Sequence, residues 1–356
     1  MTEPRETDAR ILIDAQLRAA GWDPADKSQI TTEVPVVVGV AAVAQEESPA
    51  YRVEPAPDRG ASAGRGRGDY VLLDSNGRPL AVVEAKRAAI DPYTAKNQTL
   101  PYAEALGAPF IFLSNGEVIY FWDYQNDDAR LVSSFYSRRD LERLVYLRKE
   151  AKPLATVPIP QTYLRQGEIR EVRDYQQECL KAMDHAFELG KRRFLNELPT
   201  GTGKTDLVCL FQRRLFEAGR AERILFLVDR EQLAQQAISA IQELLPGHSS
   251  YWLQAGMVRQ EKQITVALLQ TMIGRYREFT AGYFDVVIAD ECHRSIYGAW
   301  QAALTHFDAF HVGLSATPAA YIERNTFSFY HCKDRQPDFS YRIQDAFAGG
   351  FLTPYK

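Results

Sequence analysis

The stretch from Glu197 to Thr205 reads ELPTGTGKT, and it lies between the apolar pair Phe194-Leu195 and the helical run DLVCLFQRRLF. A strand, a glycine-rich turn and a helix N-terminus in this order place backbone N–H groups around a phosphate, and the helix dipole adds to the attraction. We expect Lys204 to reach the β- and γ-phosphates of a nucleotide and the Thr205 hydroxyl to hold Mg²⁺. Leu198 departs from the usual pattern, which has its first glycine there. The alternative interpretation is a glycine-rich turn with a surface lysine.

An acidic pair follows further along the chain, where an apolar strand ends. Asp290 and Glu291 close the run FDVVIAD (284–290). At such a strand end one carboxylate can bind the Mg²⁺ hydration shell and the next can polarise an attacking water. The apolar runs RILFLV (223–228) and ITVALLQ (264–270) alternate with helix-like stretches, as in a doubly wound α/β domain with a parallel sheet. The residues therefore predict hydrolysis of a nucleoside triphosphate, with Glu291 as a catalytic residue.

Several motifs resemble those of superfamily 2 helicases and translocases. DECH (290–293) resembles their motif II, SAT (315–317) resembles motif III, and PTGTGKT is the superfamily's variant of the phosphate loop. The segments VDREQLAQQA (228–237) and LLQTM (268–272) resemble motifs that face the nucleic-acid backbone in that family. The resemblance implies a RecA-like lobe that binds ATP with Mg²⁺.

The run from Arg173 to Gln176 (RDYQ) resembles the adenine-reading element of the same enzymes. It implies that Gln176 hydrogen-bonds the base edge, with Tyr175 or Arg173 packed nearby. Of the nucleotide-site residues, Thr205 and Asp290 are the expected metal ligands. The full predicted nucleotide site consists of Arg173, Tyr175, Gln176, Thr200, Gly201, Thr202, Gly203, Lys204, Thr205, Asp290, His293, Ser315 and Thr317.

A second site is predicted in a hairpin far upstream, YVLLD-SNGRP-LAVVEAK (70–86). If Asn76 and Gly77 are the two central turn residues, paired residue numbers sum to 153 and Asp69 lies opposite Glu84, about 5 Å away. Lys86 points to the same side. Two carboxylates in this position repel each other unless a cation lies between them, which suggests a divalent metal on Asp69 and Glu84. Charged edges on a surface hairpin are the alternative.

This arrangement resembles the PD-(D/E)xK nuclease core, without the family's proline before Asp69. The segment Gln98-Thr-Leu-Pro-Tyr102 matches the Q-x-x-x-Y element of nuclease domains fused to helicase motors. The resemblance implies that Gln98 and Tyr102 join Asp69, Glu84 and Lys86 as catalytic residues. Because proline disrupts a helix interior, Gln98 can either share a helix face with Tyr102 or precede the helix.

An amphipathic helix is predicted at the start of the chain, capped by Thr7 and ended by Gly21. Its expected apolar face consists of Ile11, Leu12, Ala15 and Ala19. An acidic residue on the first helix often joins nuclease sites of this type. Glu6 is the candidate here.

The motifs predict an α/β chain of two domains. We expect a nuclease domain at residues 1–150, a proline-containing linker at 151–170 and a first RecA-like motor lobe at 171–335. Residues 336–356 are expected to lead to an absent second motor lobe, so that the chain would be an N-terminal fragment that binds ATP weakly and does not translocate.

The order of nuclease before motor is similar to the restriction (motor) subunit of type I restriction-modification enzymes. This resemblance implies ATP-dependent, Mg²⁺-dependent cleavage of double-stranded DNA, with methylation and specificity subunits as partners. Two alternatives remain open. One is a stand-alone nuclease and helicase of DNA repair or another defence system, and the other is a catalytically silent DNA-binding or assembly module.

Composition excludes several other classes of protein. The chain has 356 residues, 46% of them hydrophobic and 25% charged, which is typical of a globular protein. Its net charge of −4 leaves DNA binding to local basic groups, for which the candidates are Arg65, Arg67, the run 138–152 and the run 191–193. The longest apolar run, at 36–44, is too short for a membrane span, and the four cysteines lack metal-site spacing. A cytoplasmic protein that does not bind membranes is expected.

Overall fold

The computed structural model describes residues 6–37, 65–291, 298–316, 320–321 and 324–353. The chain divides into two compact units, Met1–Leu131 and Val132–Lys356. Within the described ranges, no helix is long and apolar enough to cross a membrane.

The first unit is built on a six-stranded sheet whose strands lie side by side in chain order. Strands β3 and β4 are parallel, whereas β1–β2, β2–β3 and β4–β5 are antiparallel. The strands are β1 (Ile30–Val37), β2 (Arg65–Leu73), β3 (Pro79–Ala85), β4 (Phe110–Ser114), β5 (Ile119–Trp122) and β6 (Arg130–Val132). The helices are α1 (Glu6–Ala19) and α2 (Lys96–Leu106). The hairpin predicted at residues 70–86 is confirmed as β2–β3.

The turn between β2 and β3 differs from the predicted two-residue turn. The backbone N–H of Asp74 donates to the carbonyl of Arg78 at 2.8 Å, so the loop has three residues, 75–77. The Asp74 carboxylate causes this, because its Oδ1 accepts from the N–H groups of both Asn76 (2.8 Å) and Arg78 (2.7 Å). Gly77 completes the turn with a φ of +77°, a conformation that glycine adopts without strain.

The strand register is nevertheless the predicted one. An irregularity between Leu72 and Leu73 shifts the pairing by one residue, so that Tyr70 pairs with Val83 and Val71 with Val82. The numbers in each of these pairs sum to 153, as the sequence predicted. One further step along the two strands sets Asp69 opposite Glu84.

The second unit contains a seven-stranded sheet in the order β11-β12-β10-β13-β14-β9-β17, and every neighbouring pair is parallel. The predicted doubly wound parallel sheet is confirmed. Its strands are β9 (Arg193–Glu197), β10 (Ile224–Val228), β11 (Ser250–Leu253), β12 (Ile264–Leu268), β13 (Val286–Ala289), β14 (Phe310–Ser315) and β17 (Phe339–Ser340). Two small hairpins consist of β7 (Thr162–Arg165) with β8 (Glu168–Glu171), and β15 (Ala320–Tyr321) with β16 (Arg324–Asn325).

Helices cover both faces of this sheet, which explains its continuous apolar strands. In β10, Ile224 and Phe226 belong to one hydrophobic core and Leu225 and Leu227 to the other. The helices are α3 (Arg138–Glu150), α4 (Asp174–Glu188), α5 (Lys204–Glu217), α6 (Glu231–Leu244), α7 (Leu269–Arg275), α8 (Gly298–His306), α9 (Thr326–Phe329) and α10 (Ile343–Ala348).

The division between the units falls before α3, earlier than the boundary predicted at residue 150. Arg143 of α3 is buried and bonded to Asp285 at the start of the β13 segment and to the carbonyl of Gly282. The predicted linker also packs into this unit, since Leu154 is fully buried and its carbonyl accepts from Arg214 at 2.9 Å. The segment also contains the hairpin of β7 and β8, so its prolines prevent neither regular structure after them nor the packing of the apolar residues between them.

Candidate functional site

Three charged residues meet on the first unit's sheet. Asp69 of β2 and Glu84 of β3 are buried, with 9% and 6% of their surface exposed. Asp69 Oδ2 accepts from the backbone N–H of Ala85 at 2.7 Å, which locks the carboxylate against the neighbouring strand. Lys86 Nζ donates to Glu84 Oε1 at 2.8 Å. The predicted Asp69, Glu84 and Lys86 are therefore brought together.

Helix α2 adds the two predicted residues of the Q-x-x-x-Y element. Gln98 lies inside the helix, so the alternative that it precedes the helix is wrong, and its Oε1 accepts from Lys86 Nζ at 3.5 Å. The helix continues past Pro101 because Tyr102 and its neighbour bury against the sheet. Among the residues that the structure describes, the buried Tyr102 hydroxyl has no hydrogen-bond partner. Burial, and then the negative charge of Glu84, raise the pKa of Tyr102.

Helix α1 contributes a residue that the sequence analysis missed. The guanidinium of Arg10 forms an ion pair with Asp69 Oδ1. One turn later, Asp14 hydrogen-bonds Tyr70, and burial together with this bond raises the pKa of Tyr70. The predicted apolar face of α1 is wrong, since Ile11 is 64% exposed. The buried residues are Ala9, Ile13, Leu17 and Ala20.

Because the wrong face of α1 was expected to be buried, Arg10 was not identified as a site residue. The observed buried stripe lies on a different side of α1, which turns Arg10 and Asp14 toward β2. Their spacing of four residues, which places both on one helix face, was the available signal. Glu6 begins the same helix, and its side chain lies outside the described residues.

The donor set at Asp69 and Glu84 fits a hard divalent cation such as Mg²⁺. Both groups offer carboxylate oxygens, the ligands that Mg²⁺ prefers, and the buried Tyr102 hydroxyl of α2 has no partner among the described residues. Among the described residues, no three His, Cys, Asp or Glu side chains form a metal-binding group. A cation here would take two carboxylates from the chain and its remaining ligands from water or substrate, which is common for Mg²⁺.

The phosphate loop of the second unit leaves β9 and ends at the N-terminus of α5. Gly201 and Gly203 have φ values of +87° and +76°, which let the backbone curl around a central space. Thr202 Oγ1 donates to the carbonyl of Pro199 at 2.7 Å and closes the turn. Lys204 and Thr205 then begin α5, so the helix N-terminus faces the space enclosed by the loop, as the sequence predicted.

The acidic pair lies at the same edge of the sheet, because β14 separates β13 from β9 and all three strands are parallel. Lys204 Nζ donates to Glu291 Oε1 at 3.0 Å. Asp290 is buried, and burial raises its pKa to about 6 despite the nearby Lys204. Ser315 ends β14 and its carbonyl accepts from Leu198 N–H at 2.9 Å. His293 and Thr317 lie outside the described residues.

Residues of the predicted adenine-reading element donate hydrogen bonds to the phosphate loop. Tyr175 donates its hydroxyl to the carbonyl of Thr202 at 2.7 Å, and Gln176 Nε2 donates to the same carbonyl at 3.2 Å. Gln176 Oε1 accepts from the N–H of Arg173 at 3.1 Å. Both ends of the Gln176 amide are thus bonded within the chain.

The segment that follows β17 covers this element, and no sequence pattern indicates this contact. Tyr341 stacks on Tyr175 with ring centres 4.0 Å apart and planes 9° apart. The Arg173 guanidinium lies 4.7 Å from the ring centre of Phe351. The segment 336–353 therefore belongs to the second unit, whereas the predicted lobe ended at residue 335.

The basic groups proposed for DNA phosphates are largely engaged within the chain. Lys191 pairs with Asp338 and Arg192 with Asp308. Arg193 donates to the carbonyl of Phe329 and lies over its ring. Among the residues of α3, Arg143 is buried in its own ion pairs. The side chains of Arg65 and Arg67 lie outside the described residues.

Two family models match the sequence. The N terminus of the type I restriction enzyme R protein matches residues 57–130, which contain Asp69, Glu84 and the Q-x-x-x-Y element. The res subunit of type III restriction enzymes matches residues 169–320, which contain the phosphate loop and the acidic pair.

Known proteins match the whole chain. The EcoAI type I restriction enzyme endonuclease subunit of Escherichia coli is 28% identical over 98% of this chain and 43% of its own length. The EcoKI endonuclease subunit of Escherichia coli is 25% identical over 98% of this chain and 35% of its own length. A solved fragment named as an HsdR subunit of a type I restriction enzyme from Vibrio vulnificus is 27% identical, with a TM-score of 0.44 over 100% of this chain and 62% of that one.

The chain is thus similar over nearly all of its length to the endonuclease subunits of type I restriction enzymes, which confirms the resemblance found in the sequence. It spans less than half the length of these two curated relatives.

Proposed function

We propose that this chain provides the nuclease and the first motor lobe of a type I restriction enzyme R subunit. The observation that carries the proposal is the meeting of Asp69, Glu84 and Lys86 with Gln98 and Tyr102 in one cluster, inside the segment that matches the R protein N terminus. The substrate is double-stranded DNA.

In the nuclease site, the buried carboxylates of Asp69 and Glu84 hold a divalent cation. That cation, when bound, supplies Lewis-acid activation of the scissile phosphate. Lys86, fixed by Glu84 and Gln98, stabilises the negative charge that develops on the phosphate oxygens as water adds to phosphorus and one ester bond breaks. Gln98 holds Lys86 in position, and Tyr102 is the remaining proposed catalytic residue.

In the motor site, the phosphate loop and the α5 N-terminus bind the phosphates of ATP. Lys204 leaves Glu291 to contact the β- and γ-phosphates, and Thr205 and Asp290 hold Mg²⁺. Glu291, released from Lys204, accepts a proton from the attacking water. His293, Ser315 and Thr317 are proposed to connect nucleotide state to the adjacent strand.

The matched endonucleases are named as subunits, which supports an assembly. The proposed protein partners are the methylation and specificity subunits of a restriction-modification complex.

Cleavage of supercoiled plasmid DNA by the full chain in Mg²⁺ tests the nuclease assignment. We expect nicking by the wild type that is lost in Asp69→Ala and in Lys86→Ala, because each change removes a group that holds the cation or stabilises charge. An exposed lysine in the same unit, Lys27, provides the control variant Lys27→Ala, which should cleave like the wild type. Equal cleavage by all four proteins would refute the assignment.

A further inference from the structure

Two buried carboxylates in the first unit are each neutralised by a basic side chain of the same unit. Arg10 pairs with Asp69 Oδ1, and Lys86 pairs with Glu84 Oε1 at 2.8 Å. Each of the two carboxylates thus has one basic partner, and Asp14 of α1 adds a third negative charge near Arg10 and Asp69. In a setting where Asp69 and Glu84 are about nine-tenths buried, this pairing removes most of the repulsion between the carboxylates.

A bound divalent cation changes this pairing. Asp69 Oδ2 already accepts from the N–H of Ala85 and Oδ1 is paired with Arg10, so a cation that binds Asp69 competes with Arg10 for Oδ1, and its two positive charges repel the guanidinium. The Arg10 side chain is 36% exposed, whereas the Lys86 side chain is 22% exposed and bonded to both Glu84 and Gln98. Arg10 therefore has the shorter path to solvent.

We propose that Arg10 is the resident counter-ion of the nuclease site, which the divalent cation displaces from Asp69, and that the released guanidinium then binds a phosphate of the DNA substrate. The proposal rests on the proposed nuclease function of Asp69 and Glu84. A guanidinium suits both states, because its planar fork matches a carboxylate and a phosphate equally well.

Arg10 is also well placed for the second state. It lies on α1 beside the start of the catalytic hairpin, and its neighbour one turn on, Asp14, is bonded to Tyr70 and so fixes the helix against β2. A displaced side chain on a fixed helix remains within reach of a phosphate held at Asp69. Arg10 would then hold DNA in the site only when the cation is present.

The first test is Mg²⁺ binding to the full chain without nucleotide, measured by titration calorimetry. The variants are Arg10→Ala, the more conservative Arg10→Gln, and Arg18→Ala, which changes an exposed arginine on the same helix. Removing the competitor should tighten Mg²⁺ binding at Asp69 about 3- to 10-fold in both Arg10 variants. Arg18→Ala should bind as the wild type does, and Asp69→Ala should lose this binding event.

The second test is binding of a short DNA duplex in Ca²⁺, which takes the same oxygen ligands. Arg10→Gln should bind the duplex several-fold more weakly than the wild type, although it holds the cation more tightly. A residue with only a structural role would not move the two affinities in opposite directions.

The outcomes separate the two claims. If Arg10→Gln and the wild type bind Mg²⁺ equally while Asp69→Ala loses it, the counter-ion role of Arg10 is refuted and the nuclease site stands. If Asp69→Ala binds Mg²⁺ like the wild type, no cation is held at Asp69, and both the nuclease assignment and the role of Arg10 fall.

Discussion

Asp290 is a buried carboxylate whose ionised form costs folding free energy. Burial raises its pKa from 3.8 to about 6, and the nearby Lys204 offsets only part of that effect. The unfolded chain ionises this group at lower pH than the folded chain does. The free energy of unfolding that depends on Asp290 is therefore fully present below about pH 4 and falls as the pH rises to about 6. A buried carboxylate that lowers stability when it is ionised is consistent with the proposed role of Asp290 in holding Mg²⁺, which needs that charge.

We predict that Asp290→Asn raises the free energy of unfolding at pH 8 by about 1 to 3 kcal/mol, because the variant has no charge to desolvate. At pH 4 the gain should nearly vanish. Denaturant unfolding without Mg²⁺ or nucleotide at the two pH values measures both. Glu178→Gln changes an exposed carboxylate on α4 and is the control, with little expected effect at either pH. A gain of equal size at both pH values would show that desolvation of the Asp290 charge is not its cause.

Residues within a motif could be predicted from the sequence, and residues that approach from elsewhere could not. Asp69, Glu84 and Lys86 follow from the period of a strand and one hairpin register. Arg10 pairs with Asp69, which lies 59 residues further along the chain. Tyr341 stacks on Tyr175, which is likewise distant in the sequence. No local pattern encodes such contacts, since each partner reads as an ordinary surface charge or aromatic residue.

At the scale of elements, the catalytic hairpin reached its predicted register through two features that compensate each other. The carboxylate of Asp74 closes a three-residue loop in place of the expected two-residue turn, and the irregularity at Leu72 and Leu73 restores the pairing. Burial of one strand face fixes the register strongly, so the strands tolerate a different turn. Helix α1 shows the opposite case, because two adjacent apolar stripes compete on its surface and the sequence alone did not decide between them.

Helix α3 was assigned to the nuclease domain because it precedes a proline-rich segment. The helix is rich in charged residues, so the sequence does not indicate that Arg143 is buried in ion pairs with Asp140 and Asp285. Buried ion pairs leave no hydrophobic period in a sequence. The affiliation of α3 therefore depended on a contact that composition could not indicate.

We predict that Arg143→Ala lowers the free energy of unfolding of the second unit by about 3 to 5 kcal/mol, because it removes the ion pair of the Asp285 side chain, which is 7% exposed, and leaves the buried Asp140 with only Arg223, at 3.4 Å. Hydrogen exchange on the full chain should quicken in β13 and its neighbours and stay unchanged in β2, β3 and β4. Arg139→Ala, an exposed change on the same helix, should leave both regions unaffected. Faster exchange confined to β2–β4 would contradict the assignment of α3 to the second unit.

For the whole molecule, each unit contains the residues of one proposed site. All five predicted nuclease residues lie in Met1–Leu131, and the described nucleotide residues lie in Val132–Lys356. The residues proposed to hold the cation of the nuclease site and those proposed to bind ATP therefore belong to different units. The account therefore predicts that binding at the two sites can be removed one at a time.

The most direct test is equilibrium binding of Mg²⁺ and of ATP to the full chain and to Asp69→Ala and Lys204→Ala. Asp69→Ala should lose the Mg²⁺ that binds without nucleotide and keep ATP binding. Lys204→Ala should lose ATP binding at least tenfold, through the missing phosphate contact, and keep that Mg²⁺. If either variant loses both ligands, or if neither loses its own, the assignment of one site to each unit is contradicted.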